Sequence, residues 1–154
     1  MSRLAAGDRA PDFELSADDG GTVSSADLAG SRYVLYFYPK DDTPGCTAQA
    51  CGLRDSWSRI EEFGVPVFGV SPDRVKSHAT FRAKYGLPYR LLADEGHRLA
   101  EAYGVWIEKT LMGKTYFGNE RTTFVIGPDG RIEHVIPQVK PAEHAEHLVA
   151  ALAA

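Results

Sequence analysis

The sequence lacks several features that would place it in particular protein classes. Its 154 residues contain no long apolar run, so we expect neither a membrane-spanning helix nor a secretory signal peptide. The formal charge is -4, and acidic and basic residues are interspersed rather than grouped into a basic stripe. Nucleic acid and anionic membranes are therefore not expected partners. With 44% hydrophobic and 25% charged residues, the composition indicates one globular domain, residues 1–154, which we expect to work in the cytoplasm.

Cysteine is also scarce, since the chain has only Cys46 and Cys51. A reducing cytoplasm disfavours a permanent disulfide, so two neighbouring cysteines indicate redox chemistry or metal binding. No dinucleotide-binding fingerprint accompanies them, and the glycine-containing segments 19–21 and 128–130 are typical of turns. If the chemistry is redox, we expect the reducing equivalents to come from another protein and not from a bound cofactor.

Short runs of apolar, β-branched and aromatic residues alternate with longer helical patterns along the chain. The runs 32–39 and 65–71 are apolar on both faces, as in central strands of a covered sheet, and the segment between them predicts a crossover helix and a parallel pair. A Pro-Asp-Gly turn within residues 121–136 predicts a hairpin, and residues 140–154 predict a closing amphipathic helix. Further predicted elements are a strand near 13–15, a helix over 73–86, a strand over 89–94 and a short helix over 95–105. This order predicts an α/β protein with a thioredoxin-like fold, in which helices cover both faces of a central mixed sheet.

Both cysteines lie in the helix predicted from Thr43 to about residue 63. Thr43 is a favoured N-cap residue and Pro44 suits the first helical position, which places Cys46 in the first turn. There, unpaired backbone N–H groups and the positive end of the helix dipole favour a thiolate. Spacings of three and four residues predict a stripe that faces the core: Cys46, Ala50, Leu53, Trp57 and Ile60. Cys51 lies on another face, which we expect to point toward solvent.

The two thiols cannot bond to each other while this helix is intact. Positions five apart differ by roughly 140° around the helix axis, with Cα atoms about 8.6 Å apart, whereas a disulfide requires Cα atoms within about 7 Å. Either the cysteines never meet, or they meet because the first helical turns unwind. Gly45 and Gly52 flank the pair and each costs about 1 kcal/mol relative to alanine in a helix, so they make unwinding easier.

A thiolate in this position suits attack on a peroxide. Cleavage of the O–O bond leaves negative charge on the departing oxygen, which nearby cations or N–H groups must stabilise. The product is a sulfenic acid, which a second cysteine can capture as a disulfide. In this interpretation one cysteine reacts and the other resolves.

The segment YPKDDTPGCTAQACGLRD, residues 38–55, resembles the active-site segment of the peroxiredoxins. Their signature is Pro, three residues, Thr or Ser, two residues and Cys, which Pro39, Thr43 and Cys46 match. The second cysteine five positions later, followed by GLRD, is similar to the peroxiredoxin Q branch, also called bacterioferritin comigratory protein. The likeness continues in order through APDFEL, GVSPD, YGV, MGKTYFG, RTTFVI and DGRIEHV, and so covers nearly the whole chain.

This resemblance implies a role for each matched position. Cys46 corresponds to the peroxidatic cysteine, and Cys51 to the resolving cysteine of members that form an intramolecular disulfide. Thr43 corresponds to the hydroxyl that orients the peroxide, and Pro39 to the residue that shields the pocket from water. Arg121 corresponds to the arginine that stabilises the thiolate and polarises the peroxide, a task that suits a permanently charged guanidinium.

The resemblance also implies the partners of an atypical 2-Cys, thioredoxin-dependent peroxidase. The substrate would be hydrogen peroxide or an organic hydroperoxide, and a thioredoxin-like protein would reduce the disulfide. Neither a metal nor a cofactor is implied. Because the disulfide closes within one chain, we expect a monomer, an expectation that an exposed apolar patch would challenge.

Two other kinds of function compete with a thiol peroxidase. A disulfide oxidoreductase acting on proteins is disfavoured because such enzymes use Cys-x-x-Cys, which this chain lacks. A redox sensor would use the same thiol chemistry with a client partner, whereas a metal-binding module would need more thiolate or imidazole ligands near the cysteines. His144 and His147 make only a weak metal site on the last helix, and we expect them on its solvated face. We expect Trp57 and Trp106 to line the core or a pocket.

Overall fold

The computed structural model describes residues 3–154, which form nine strands, five α-helices and one short 3-10 helix. The strands are β1 (Glu14–Ala17), β2 (Thr22–Ser24), β3 (Tyr33–Phe37), β4 (Val67–Ser71), β5 (Arg90–Ala93), β6 (Trp106–Leu111), β7 (Lys114–Asn119), β8 (Thr122–Ile126) and β9 (Ile132–Ile136). The α-helices are α1 (Pro44–Asp55), α2 (Trp57–Glu61), α3 (Val75–Tyr85), α4 (Arg98–Tyr103) and α5 (His144–Ala153), and the 3-10 helix is Pro141–Glu143.

Seven of the strands form one mixed sheet in the order β2-β1-β5-β4-β3-β8-β9. The central strands β3, β4 and β5 are parallel, while β1 joins β5, and β8 joins β3 and β9, in antiparallel pairs. The predicted parallel unit and the predicted β8–β9 hairpin are therefore both confirmed. Strands β6 and β7 form a separate two-stranded hairpin that the sequence analysis did not predict, as it did not predict β2.

The sheet separates two apolar cores, because successive side chains of a strand point to opposite faces. On β3, Leu35 and Phe37 join the core that contains α4, whereas Val34 and Tyr36 join the core that contains residues of α1, α2, α3 and α5. Helices thus cover both faces of a mixed sheet, which confirms the predicted thioredoxin-like fold class. Within residues 3–154, no helix combines the length and the apolar character that crossing a membrane requires.

The helix predicted from Thr43 to about residue 63 is interrupted. At Ser56 the backbone has φ -101° and ψ 10°, so α1 ends there and the short helix α2 begins. The predicted core-facing stripe survives the break: Cys46, Ala50, Leu53 and Ile60 are buried, and Trp57 is half-buried against Tyr89. The break lies beyond both cysteines, so α1 carries them in one uninterrupted helix.

Candidate active site

The first turn of α1 holds Cys46 as its third residue, with Pro44 at the first helical position, as predicted. The Cys46 side chain is buried, with only 2% of the residue exposed. Thr43 is the N-cap residue, but its hydroxyl does not cap the helix and instead donates to the backbone oxygen of Lys40 at 2.9 Å. The N–H groups of the first turn, which contains Cys46, therefore have no hydrogen bond from the Thr43 side chain.

Arg121 reaches this turn from the start of β8. Strand β8 runs antiparallel to β3, with Thr122 opposite Phe37, so the residue before β8 lies beside the loop that leaves β3. The guanidinium donates from Nη2 to Cys46 Sγ at 3.4 Å. A Cβ atom at Gly45 would lie 3.1 Å from the same Nη2, so a glycine at this position lets the guanidinium approach the helix. The structure thus places a permanent positive charge against the thiol.

A chain of buried hydrogen bonds continues from Arg121 into the protein. Nη1 of Arg121 donates to Gln49 Oε1 at 2.5 Å, and Gln49 Nε2 lies 3.0 Å from His144 Nδ1. On the other side of the ring, His144 Nε2 lies 2.7 Å from Thr123 Oγ1. Gln49, His144 and Thr123 are all fully buried. Polar contacts enclosed in this way hold the guanidinium in one orientation.

The expectation that His144 lies on a solvated helix face is wrong. Its ring is fully buried beside Tyr36, with ring centroids 5.4 Å apart. Burial, together with the charges of Arg121 and His147, lowers the pKa of His144 to about 3. The sequence held a signal of this, because His144 lies four and eight residues before the buried Leu148 and Leu152 on α5. His147 is exposed, as expected.

The loop between β3 and α1 carries Pro39, which is half-buried. The backbone oxygen of the preceding residue, Tyr38, accepts a hydrogen bond from Asn119 Nδ2 at 3.2 Å. Asp42 has a left-handed backbone, with φ 56°, and its carboxylate accepts from Lys84 Nζ at 2.7 Å. These contacts hold both ends of the loop, so the positions of Pro39 and Thr43 depend on residues distant in sequence.

A buried polar cluster anchors the middle of the same loop to α3. The Asp41 carboxylate accepts from Tyr38 at 2.6 Å and Ser77 at 2.7 Å, and lies 2.8 Å from His78 Nδ1. The Asp41 backbone N–H donates to Asp73 Oδ2 at 2.8 Å. Ligand atoms of Asp41, Asp73 and His78 lie within 4.8 Å of one another, which resembles a metal site. The hydrogen bonds within the cluster explain why these three side chains lie so close together. We therefore interpret the cluster as an anchor that holds the loop against α3.

Cys51 lies outside this network. It is half-buried, and both cysteines are free, as expected for an intact α1. A Cβ atom at Gly52 would meet no other atom within 4 Å, so packing does not require glycine there. The backbone oxygen of Ala50, by contrast, accepts from Tyr89 at 3.1 Å. The structure therefore brings Arg121 to Cys46 and leaves Cys51 apart from both.

Lys109, on β6, adds a second cation near the site. Its Nζ donates to the backbone oxygen of Asn119 at 2.5 Å. Partial burial and the charge of Arg121 lower the pKa of Lys109, while Cys46 opposes that change. Lys109, Gln49 and Asn119 were not among the residues predicted from the sequence. Gln49 could have been noticed because it stands one turn after Cys46, but no local pattern distinguishes the other two.

Comparison with known proteins identifies the family of this chain. Residues 6–135 match the AhpC/TSA family. The putative peroxiredoxin Bcp of Coxiella burnetii is 48% identical over 149 residues, which are 97% of this chain and 99% of that protein. A cysteine-to-serine variant of the peroxiredoxin Q of Xylella fastidiosa has a similar structure, with a TM-score of 0.91 at 35% identity, covering 99% of this chain and 98% of that one. The bacterioferritin comigratory protein of Xanthomonas campestris, whose structures concern alkyl peroxide reduction, has a TM-score of 0.85 at 38% identity, covering 92% of this chain and 90% of that one. The chain therefore belongs to the AhpC/TSA family and, within it, to the Bcp or peroxiredoxin Q branch of the peroxiredoxins.

Proposed function

We propose that Cys46 is the peroxidatic cysteine of this thiol peroxidase. The Cys46 thiolate attacks one peroxide oxygen, so that an S–O bond forms and the O–O bond breaks, and the departing oxygen leaves as an alcohol or as water after taking up a proton. The observation that supports this most directly is the 3.4 Å contact between Arg121 Nη2 and Cys46 Sγ at the start of α1. A guanidinium there stabilises both the thiolate and the charge that develops on the departing oxygen.

Thr43 and Pro39 complete the proposed peroxide pocket. The Thr43 hydroxyl already donates its proton to Lys40, so its oxygen is free to accept a hydrogen bond from a peroxide O–H. That contact would orient the peroxide relative to Cys46. Pro39 has no backbone N–H, so it offers water no donor at the pocket and shields it with an apolar ring.

Cys51 is the proposed resolving cysteine. Its thiol attacks the sulfur of the Cys46 sulfenic acid, so that an S–S bond forms, the S–O bond breaks and water is released. Because α1 holds both residues, this step requires the turns between them to unwind. The absence of any atom near a Cβ at Gly52 supports this proposal, since a glycine that packing does not need weakens the helix beside Cys51.

The rest of the cycle follows from the same chemistry. We propose hydrogen peroxide and organic hydroperoxides as substrates, in keeping with the alkyl peroxide reduction associated with the Xanthomonas campestris relative. A thioredoxin-like dithiol protein would reduce the Cys46–Cys51 disulfide, which suits a reducing compartment such as the cytoplasm. Since both cysteines belong to one domain of one chain, the cycle needs no second subunit, and we propose a monomer.

The first test is intact mass and thiol counting after one equivalent of hydrogen peroxide. Wild type is expected to lose two hydrogens and both thiols, and Cys51→Ser to gain one oxygen on Cys46. Dimedone should trap the sulfenic acid in the variant, and a thioredoxin-like protein should restore both thiols in the wild type.

Two outcomes would contradict the proposal at different points. Survival of both thiols in the wild type would remove Cys46 as the peroxidatic residue. A wild-type protein that gains oxygen without losing the Cys51 thiol would leave the first step intact and remove Cys51 as the resolving residue.

A further inference from the structure

We propose that His144 is a positioning residue, which orients the Gln49 side-chain amide so that Gln49 holds Arg121 beside Cys46. This inference rests on the proposed role of Arg121 in peroxide reduction. The C-terminal helix α5 would then contribute to a site that is otherwise formed by the loop between β3 and α1, by α1 and by the start of β8. His144 touches neither Cys46 nor Arg121, and acts only through Gln49.

The donors and acceptors of this chain admit one arrangement. A guanidinium has N–H donors and no acceptor, so the atom of Gln49 that faces Arg121 must be the oxygen. The amide nitrogen of Gln49 then faces His144 Nδ1 and donates to it, which requires Nδ1 to carry no proton. The proton of the neutral ring must therefore lie on Nε2, which donates to Thr123 Oγ1.

Without the acceptor at His144 Nδ1, Gln49 can keep its bond to Arg121 Nη1 only by leaving its buried amide nitrogen unpaired. A flipped amide would direct its N–H groups at the guanidinium, where donor faces donor, and Gln49 would lose its bond to Arg121 Nη1. Water does not repair the loss, because Gln49, His144 and Thr123 are fully buried. An unpaired amide at such a depth costs about 1–3 kcal/mol, so the side chains would rearrange.

The packing of the chain before α5 places the His144 ring next to Gln49. His144 is the first residue of α5, directly after the 3-10 helix Pro141–Glu143. The Gly45 site already lies within reach of Pro141, since a Cβ there would be 3.7 Å from Pro141 Cγ. The 3-10 helix that precedes α5 therefore packs against the first turn of α1, and the His144 ring directly after it reaches Gln49.

Variants of His144 on the Cys51→Ser background test this role, because only Cys46 then reacts. His144→Asn keeps an acceptor at the position of Nδ1, since the asparagine side-chain oxygen occupies the same place on Cγ. His144→Leu keeps a side chain of similar volume and removes the acceptor. His144→Gln keeps a polar group toward Thr123 without an acceptor at the Nδ1 position, and it serves as the second test if the leucine variant does not fold. His147→Asn, at the exposed histidine on the same helix, is the matched control.

Two rates are measured for each variant: oxidation of Cys46 by hydrogen peroxide and alkylation of Cys46 by iodoacetamide. Arg121 stabilises the thiolate as well as the departing oxygen, so both rates are compared at pH values where the alkylation profile shows Cys46 to be fully ionised. Peroxide oxidation then still requires an oriented Arg121, whereas alkylation requires only an accessible thiolate. We expect His144→Leu and His144→Gln to slow oxidation about tenfold relative to alkylation, as misplacement of a positioned group does. His144→Asn should stay within about threefold of the parent, because it restores the acceptor. His147→Asn should leave both rates unchanged.

Several outcomes would overturn the inference. Equal loss of oxidation in His144→Asn and His144→Leu would show that ring packing matters and the acceptor does not. Parallel changes of the two rates would indicate a general structural effect, and unchanged oxidation in all variants would remove His144 from the site. If the Cys51→Ser parent itself gained no oxygen from peroxide, the proposed function would fail and the role of His144 with it, so the two failures are distinct.

Discussion

The two cysteines of α1 lie in surroundings that differ in how firmly tertiary contacts hold them. Around Cys46, Arg121 and Gln49 form a continuous hydrogen-bonded network inside the protein. Around Cys51, the helix is half-buried and Gly52 has open space beside it. The difference matches the two proposed tasks: attack on peroxide requires groups that are already oriented, whereas disulfide closure requires a segment that moves.

The largest expected effect comes from removing the cation on the Cys46 side. Arg121→Ala should slow oxidation of Cys46 by hydrogen peroxide by about 10²–10³-fold, because a positioned donor to the developing charge is lost. Stopped-flow kinetics on the Cys51→Ser background measures this step alone. Arg98→Ala, an exposed arginine at the start of α4, is the control and should react at the parent rate. A rate for Arg121→Ala within twofold of the parent would remove the arginine from the site.

A second effect concerns the neutral His144 that supports the same network. The pKa of His144 is about 3 in the folded protein, whereas that of an unfolded histidine is about 6.5. As the pH falls below about 6.5, the unfolded chain takes up a proton that the folded protein does not, so His144 lowers the free energy of unfolding by about 1.4 kcal/mol per pH unit down to pH about 3. Above pH about 6.5 this loss is absent.

Urea unfolding at pH 7 and pH 5 checks this pH dependence. Wild type should lose about 2 kcal/mol more stability between the two values than His144→Asn does, since asparagine does not titrate. The other titrating groups are common to both proteins and cancel in the comparison. His147→Asn, at an exposed histidine, should behave as the wild type does. Equal losses in wild type and His144→Asn would mean that His144 takes up protons as readily folded as unfolded.

The smallest expected effect lies on the Cys51 side. Gly52→Ala should stabilise α1 by about 1 kcal/mol, because alanine is the better helix former and the site has room for a Cβ. If unwinding precedes disulfide closure, closure should slow about fivefold while peroxide oxidation of Cys46 is unchanged. Rapid-quench thiol counting after the sulfenic acid has formed measures closure separately.

Ala48→Gly provides the opposite change at an exposed position of the same helix. This variant should speed closure by a similar factor, since it weakens α1 between Thr43 and Cys51. Identical closure rates in Gly52→Ala, Ala48→Gly and wild type would show that helix opening does not limit the reaction. The contrast between rigid surroundings of Cys46 and a helix that opens near Cys51 would then have no bearing on the mechanism.

The regular elements were predictable where local patterns were strong. The apolar runs of β3 and β4, the Pro-Asp-Gly turn between β8 and β9, and Gly86 at the end of α3 each carry a local signal, and the structure agrees with all of them. The β6–β7 hairpin was missed because Met112 stands at the first position of its turn, where both residues have positive φ and Asn, Asp or Gly usually precedes the glycine.

That hairpin also bears on the proposed monomer. It exposes four large apolar residues at and beside its turn: Leu111, Met112, Tyr116 and Phe117. An exposed apolar patch of this kind is the feature expected to challenge a monomer. Sedimentation of the wild type therefore tests the proposed monomer.

The sequence by itself determined the position of Cys46 in the first turn of a helix and its separation from Cys51, because N-cap chemistry and helix geometry act over a few residues. It also determined the alternation of strands and helices that produces the fold. The resemblance pointed to Arg121, but only the tertiary structure decided how distant groups are held at the Cys46 site, either in contact with Cys46 or through Gln49. Arg121 precedes β8, the strand that pairs with β3, and His144 begins the last helix. Such contacts depend on how β8 and α5 pack against α1, and no local pattern in the sequence encodes that packing.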